Sequence, residues 1–131
     1  MMVEVEHGSM KDLKLGKYVM IDDIPCRVVD IEVSAPGKHG AAKMRVTAMG
    51  IFDGNKKTLL KPSDADIQVP IIERKRGQIV TMTGSVAQVM DLVTYETFEM
   101  AISDDLKAGL ESGKEVEYIE TMGRKMIMRI V

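Results

Sequence analysis

The sequence predicts an all-β protein made of two small β-barrels with one short helix. Three observations carry that prediction. Apolar residues recur mainly at every second position, the period of a half-buried strand rather than of a helix. Turn-forming residues interrupt those runs along the whole chain. Pro70 breaks the pattern near the middle of the 131 residues, in Val69-Pro70-Ile71-Ile72. Proline cannot donate to a central ladder, so this segment suits a boundary between domains 1–70 and 71–131. Each half is small, and closing a sheet into a barrel removes the edges that a small domain can rarely cover otherwise.

The first half opens with a short strand, Tyr18 to Ile21, ended by the turn residues Asp22 and Asp23. Pro25 to Val33 reads as the next. Val29, Ile31 and Val33 are expected on its core face, with Asp30 and Glu32 outward. Lys43 to Ile51 continues the alternation: Met44, Val46 and Ala48 on one side, Lys43, Arg45 and Thr47 on the other. Weaker strands cover Lys57 to Leu60 and Asp66 to Val69.

The second half repeats the style. Strands are expected at Gln78–Met82, Val86–Leu92, Thr97–Met100, Glu115–Tyr118 and Lys125–Val131. The helix falls after Ser103, which would cap it. Asp104 and Asp105 favour its positive end, Leu106 and Leu110 share a face, and Gly113 follows its end.

Composition narrows the function. Hydrophobic content is 45%, charged content 29% and net charge −2, so the chain as a whole is no polycation. The single cysteine, Cys26, excludes an internal disulfide and favours a reducing compartment. Its apolar setting reads as a buried small hydrophobe. The acidic start, with Glu4 and Glu6, does not read as a signal peptide. No apolar run approaches the roughly 20 residues of a membrane span. Cytoplasmic localisation is the expectation. No catalytic site and no metal site is expected. The paired acids Asp22-Asp23 and Asp104-Asp105 fit turn and helix-start positions, and no Cys/His cluster has zinc spacing.

One segment stands apart. Between two strands lies Ser34-Ala35-Pro36-Gly37-Lys38-His39-Gly40-Ala41-Ala42, longer than the usual hairpin loop and made almost wholly of small residues. From Val33 to Phe52 there is no carboxylate, while Lys38, Lys43 and Arg45 are present. Such a stretch can face phosphate. A solvated hairpin that merely lacks acids would look the same. Gly37 and Gly40 flank Lys38 closely, so another molecule could approach the backbone there. Lysine supplies a long stem and a compact cation that is a common target of modification. Pro-Gly-Lys-His-Gly is not a phosphate-binding P-loop, because His39 stands where Ser or Thr should bind magnesium.

This loop resembles the modification loop of the translation initiation factor 5A family, and the resemblance extends from about Leu13 onward. Ile24-Pro25-Cys26-Arg27-Val28-Val29-Asp30 is similar to the strand before that loop. Val69-Pro70-Ile71-Ile72 resembles the interdomain junction. Gln88-Val89-Met90-Asp91-Leu92 and Thr94-Tyr95-Glu96-Thr97-Phe98-Glu99 resemble a segment of the second domain. The resemblance implies an SH3-like barrel followed by an oligonucleotide/oligosaccharide-binding (OB) fold, and a non-enzymatic translation factor. It implies that Lys38 is converted to deoxyhypusine or hypusine by deoxyhypusine synthase, with spermidine as donor and no resident cofactor. Pro36, Gly37, His39, Gly40, Lys43 and Arg45 would form the RNA-facing setting. The implied partners are the ribosome, through ribosomal RNA and peptidyl-tRNA, and the synthase, with the chain acting as a monomer. The modified lysine would hold peptidyl-tRNA and promote peptide-bond formation at stalled sites such as proline runs. Ala35 stands where many relatives carry a further lysine. The chain stops after a strand, without the C-terminal helix of eukaryotic relatives and too short for the third domain of bacterial elongation factor P, which favours an archaeal source. A general RNA-binding OB module is the alternative.

Overall fold

The computed structural model describes residues 4–34, 42–103 and 105–131. The chain divides into two compact units, residues 1–71 and 72–131. Nearly all of its regular structure is strand, in keeping with the all-β prediction.

The first unit contains β1 (Val5–Ser9), a 3-10 turn (Met10–Asp12), β2 (Tyr18–Ile21), β3 (Ile24–Ser34), β4 (Lys43–Gly50), β5 (Lys56–Pro62) and β6 (Asp66–Pro70). β2, β3, β4 and β5 form an antiparallel sheet in that order, while β1 pairs with β6. Asp22 and Asp23 both have positive φ, 52° and 63°. They make the two-residue turn that joins β2 to β3, with Ile21 opposite Ile24. Met10, Val19, Cys26, Val46 and Ala48 are completely buried, with Val28, Ile21, Leu13, Met44 and Ile67 beside them. Burying each large aliphatic side chain contributes about 1.5–3 kcal/mol.

Two features of this unit depart from the prediction. β1 has no predicted counterpart, because Val5-Glu6-His7-Gly8-Ser9 lacks alternating apolar residues; its partner β6 makes it a strand. The core face of β3 is also different. Cys26 and Val28 point inward, whereas Val29 is 47% and Val33 61% exposed. A β-bulge explains Val29: Val28 opposes Ala48 but Asp30 opposes Thr47, leaving Val29 as an extra residue. Val33 instead shares the side of Ile31, opposite the buried Met44, and is exposed near the end of the strand. The alternation therefore changes phase in mid-strand. Ile31 alone of the three expected residues packs against the core, half-buried.

The second unit contains β7 (Glu73–Thr83), β8 (Val86–Asp91), β9 (Thr97–Ala101), a 3-10 turn (Lys107–Gly109), β10 (Glu115–Thr121) and β11 (Arg124–Ile130). The strands close into a barrel in the order β7-β8-β9-β11-β10 and back to β7. Every pairing is antiparallel except β9 with β11. A five-stranded closure of this kind, with a turn of helix between the third and fourth strands, fits an OB barrel. The predicted helix is reduced to that single 3-10 turn. Leu106 and Gly109 donate backbone N–H bonds three residues back, to Ser103 and Leu106, rather than four. Gly109 and Gly113 also disfavour a longer helix. Leu110 is buried and Leu106 packs beside it on the core, so the expected apolar face is there; Asp104 lies outside the described residues.

Gly77 sits in β7 between β8 and β10, opposite Asp91 and Val116. A Cβ there would overlap Val89 Cγ1 and lie 3.0 Å from the Met90 carbonyl oxygen, with Tyr118 Cε1 at 3.4 Å. Backbone cannot yield as a side chain can. Gly77→Ala is expected to destabilise this barrel by about 1–3 kcal/mol. An unchanged urea midpoint would contradict this packing.

A candidate RNA-facing loop on a clamped stalk

β3 and β4 form the stalk of the candidate loop. Lys38, Pro36, Gly37, His39 and Gly40 lie outside the described residues, as does Ala35. The described part is the base that holds them. Ser34 opposes Lys43, Val33 opposes Met44 and Glu32 opposes Arg45, so the hairpin register runs to the last residue of β3.

The base is clamped from a distance. Ser63, between β5 and β6, donates its N–H to the Ala42 carbonyl at 2.7 Å. Its own carbonyl accepts the Lys11 N–H at 3.0 Å and the Ser9 hydroxyl at 3.3 Å. The residue entering β4 is therefore tied both to the β5–β6 connection and, through Ser63, to the turn after β1. Sequence reasoning missed Ser63; no local signal announces a bond spanning 21 residues.

Lys43 and Arg45 lie on one exposed face of β4, because Met44 and Val46 between them are buried. This is the alternation the sequence predicted. The cations project from the outer sheet face at the base of the hairpin, flanked by Pro62 and the 54% exposed Leu60 on β5. Glu32 is the carboxylate in register with Arg45. β2 pairs with β3 as far as Arg27, and Lys17 and Gly16 before it bond Val28, so the β3 stretch from the bulge to the loop is an edge. The bulge at Val29 and the charges of Asp30 and Glu32 guard it against pairing with another chain.

Other chemistry is sparse. Among the described residues, no group of three or more His, Cys, Asp and Glu is placed to hold a metal ion. Cys26 is fully buried, and burial pushes its thiol above the ordinary value; its Sγ lies 3.2 Å from the Ile24 carbonyl oxygen. It is core filler rather than a nucleophile. An open cleft of about 410 Å³ borders His7, Asp22, Asp23, Lys61 and Asp66. Asp22 and Asp23 are the tight-turn residues already described.

Comparison with known proteins gives this arrangement its family. Residues 6–65 match the profile described as "Translation initiation factor 5A-like, N-terminal". Residues 71–130 match "Eukaryotic elongation factor 5A hypusine, DNA-binding OB fold". The translation initiation factor 5A of Archaeoglobus fulgidus is 53% identical over 122 residues, covering 93% of this chain and 95% of the relative. The chain belongs to the translation initiation factor 5A family. The Methanopyrus kandleri protein of the same name is 50% identical over 130 residues, with 98% of this chain and 96% of the relative covered. A solved structure described as eukaryotic translation initiation factor 5A from Methanococcus jannaschii superposes with a TM-score of 0.92 at 47% identity, covering 100% of this chain and 98% of that one. Archaeal proteins of this name thus match both units together, and the chain is a translation factor rather than an enzyme. No helix among the described residues is long and apolar enough to cross a membrane.

Proposed function

We propose that this translation factor acts in the cytoplasm as a monomer that binds the ribosome and steadies peptidyl-tRNA through a modified Lys38. Deoxyhypusine synthase transfers an aminobutyl group from spermidine to the Lys38 amine, breaking that group's bond to the secondary amine nitrogen and releasing the remaining three-carbon diamine. The product is deoxyhypusine or, after a further hydroxylation, hypusine. The added chain supplies length and a second amine, which meet phosphate and sugar oxygens of the tRNA acceptor end. Pro36, Gly37, His39 and Gly40 give the synthase and the RNA close access to the backbone. Lys43 and Arg45 meet flanking phosphates. The ribosome performs the chemistry; the factor restricts the geometry of slow substrates such as consecutive prolines.

The observation that carries this reading is the acid-free Gly37-Lys38-His39-Gly40 sequence between β3 and β4, whose base is clamped through Ser63 and carries two exposed cations on one face of β4. A clamped base lowers the ordering cost when the segment between its ends engages a partner. Intact-mass analysis of the protein from its native cells tests the modification. The expected main species is heavier by one aminobutyl addition, with or without one oxygen, and peptide mapping places it on Lys38. A wholly unmodified population would overturn the proposal.

A further inference from the structure

The geometry points to a second RNA-contacting surface, on the β7–β10–β11 side of the second barrel, where Arg74, Arg76 and Arg129 surround Glu117. β10 lies between β7 and β11, and Glu117 is directly opposite Arg76 on one side and Arg129 on the other. Side chains opposite one another in a ladder are close neighbours. Arg129 Nη2 lies 3.1 Å from Glu117 Oε2, and Arg74 Nη1 lies 3.5 Å from Oε1. Arg76 has no ion pair of its own among the described residues.

One carboxylate thus stands among three guanidinium groups. Counting also the exposed Glu115, two positions along β10 and opposite Gln78, three positive charges still face two negative ones. The Arg74 and Arg129 side chains are 57% and 61% exposed, so their remaining N–H groups point to solvent. Glu73 and Glu120 do not neutralise the cluster, because Lys75 and Lys125 bond them. Forked donors held by a shared carboxylate match the oxygens of a phosphodiester chain.

The opposite side of the barrel makes the contrast. OB barrels commonly bind oligonucleotides on the face of their second and third strands. Here that face, β8 and β9, presents Val86, Gln88, Met90, Thr97, Glu99 and Ala101. It has one carboxylate, no base and no aromatic ring for a nucleobase to stack on. The RNA backbone therefore lies against β7, β10 and β11. This inference rests on the proposed action at the ribosome only in taking RNA as the partner.

Fluorescence anisotropy of the full chain with a labelled single-stranded RNA, titrated with salt, tests it. The double variant R76Q/R129Q is expected to bind about 10-fold more weakly, with a log–log salt slope shallower by about 1.4, as for two lost phosphate contacts. Glu117→Gln removes the competing carboxylate and is expected to tighten binding about threefold, an effect that a purely structural ion pair would not produce. Gln88→Glu, on the β8–β9 face, should leave binding unchanged. Thermal melts check that each variant is folded. Wild-type affinity and slope in R76Q/R129Q, weaker binding by Glu117→Gln, or a loss in Gln88→Glu as large as in the double variant would each overturn the inference. The modification reading is scored separately by mass, so either can fail while the other stands.

Discussion

Replacing Lys38 with arginine is expected to abolish relief of stalling at proline runs while leaving the protein as stable as the wild type. Arginine keeps the positive charge, but its guanidinium is not the primary amine that accepts an aminobutyl group, and it lacks the reach of the extended chain. If charge alone were the working feature, arginine would serve. If the polyamine-derived chain is required, the variant behaves like alanine. Misplacing a reacting group by about 1 Å can cost on the order of 10²-fold in rate. Synthesis of a proline-rich reporter in a reconstituted system should therefore fall at least about 10-fold toward the rate without factor. Every described strand pair is retained, since β3 ends at Ser34 and β4 begins at Lys43. The melting curve should match the wild type. An arginine variant as active as modified wild type would sink the proposed role of the modified lysine.

Residue order alone made most of the strands legible, where alternation and burial agree. Met44, Val46 and Ala48 are buried and Lys43 and Arg45 exposed, as their period requires. The same rule misplaced Val29, because one bulged residue reverses the phase and nothing local marks it. It also overstated the burial of Val33, which shares the side of Ile31 but is exposed near the end of the strand. β7 begins at Glu73, well before the predicted Gln78, because Glu73-Arg74-Lys75-Arg76 has no apolar alternation. Its pairing with β10 is what makes that run a strand. Only the register across β10 gathers Arg74 and Arg76 with Arg129 around Glu117. The loop motif was visible from glycine, length and missing acids, but chemistry alone left it open. The family resemblance implies a role for Lys38, and the Ser63 clamp could be found only in three dimensions.

Asp91→Ala is expected to destabilise the second barrel by about 3 kcal/mol, the largest stability effect of any single polar side chain in it. Asp91 is buried at the end of β8, and its carboxylate serves three donors at once. Oδ1 accepts the N–H of Val93 at 2.8 Å and of Thr94 at 2.9 Å; Oδ2 accepts the hydroxyl of Tyr118. The first two bonds shape the β8–β9 turn, where Tyr95 has φ 63°. The third lies within the core, since Tyr118 is fully buried and its hydroxyl has no access to water. Removing the acceptor strands that hydroxyl at about 1–3 kcal/mol and loosens the turn as well. For a unit this small, about 3 kcal/mol lowers the melting temperature by roughly 12–24 °C. Tyr118→Phe removes donor and desolvation together and should cost less, about 1–2 kcal/mol. A double-mutant cycle should show that the two losses are not additive. Acid should weaken the same contact. The Tyr118 hydrogen bond, helped by the two backbone donors, holds the Asp91 carboxyl below the ordinary value of 3.8 despite burial. A group depressed by folding contributes stability that is present above its unfolded value and lost as pH falls through its folded one. The gap between wild type and Asp91→Asn should therefore be full near neutrality and shrink only below about pH 4. Asparagine keeps the shape and one acceptor oxygen, but its amide would turn a second donor toward Tyr118. Burial first, and then the same hydrogen bond, push the Tyr118 phenol above its usual value of 10.0, so this side of the contact holds through the neutral and mildly alkaline range. Equal urea midpoints for wild type and Asp91→Asn at pH 7, or a gap that persists undiminished in strong acid, would show that the buried carboxylate does not hold the turn and the core together.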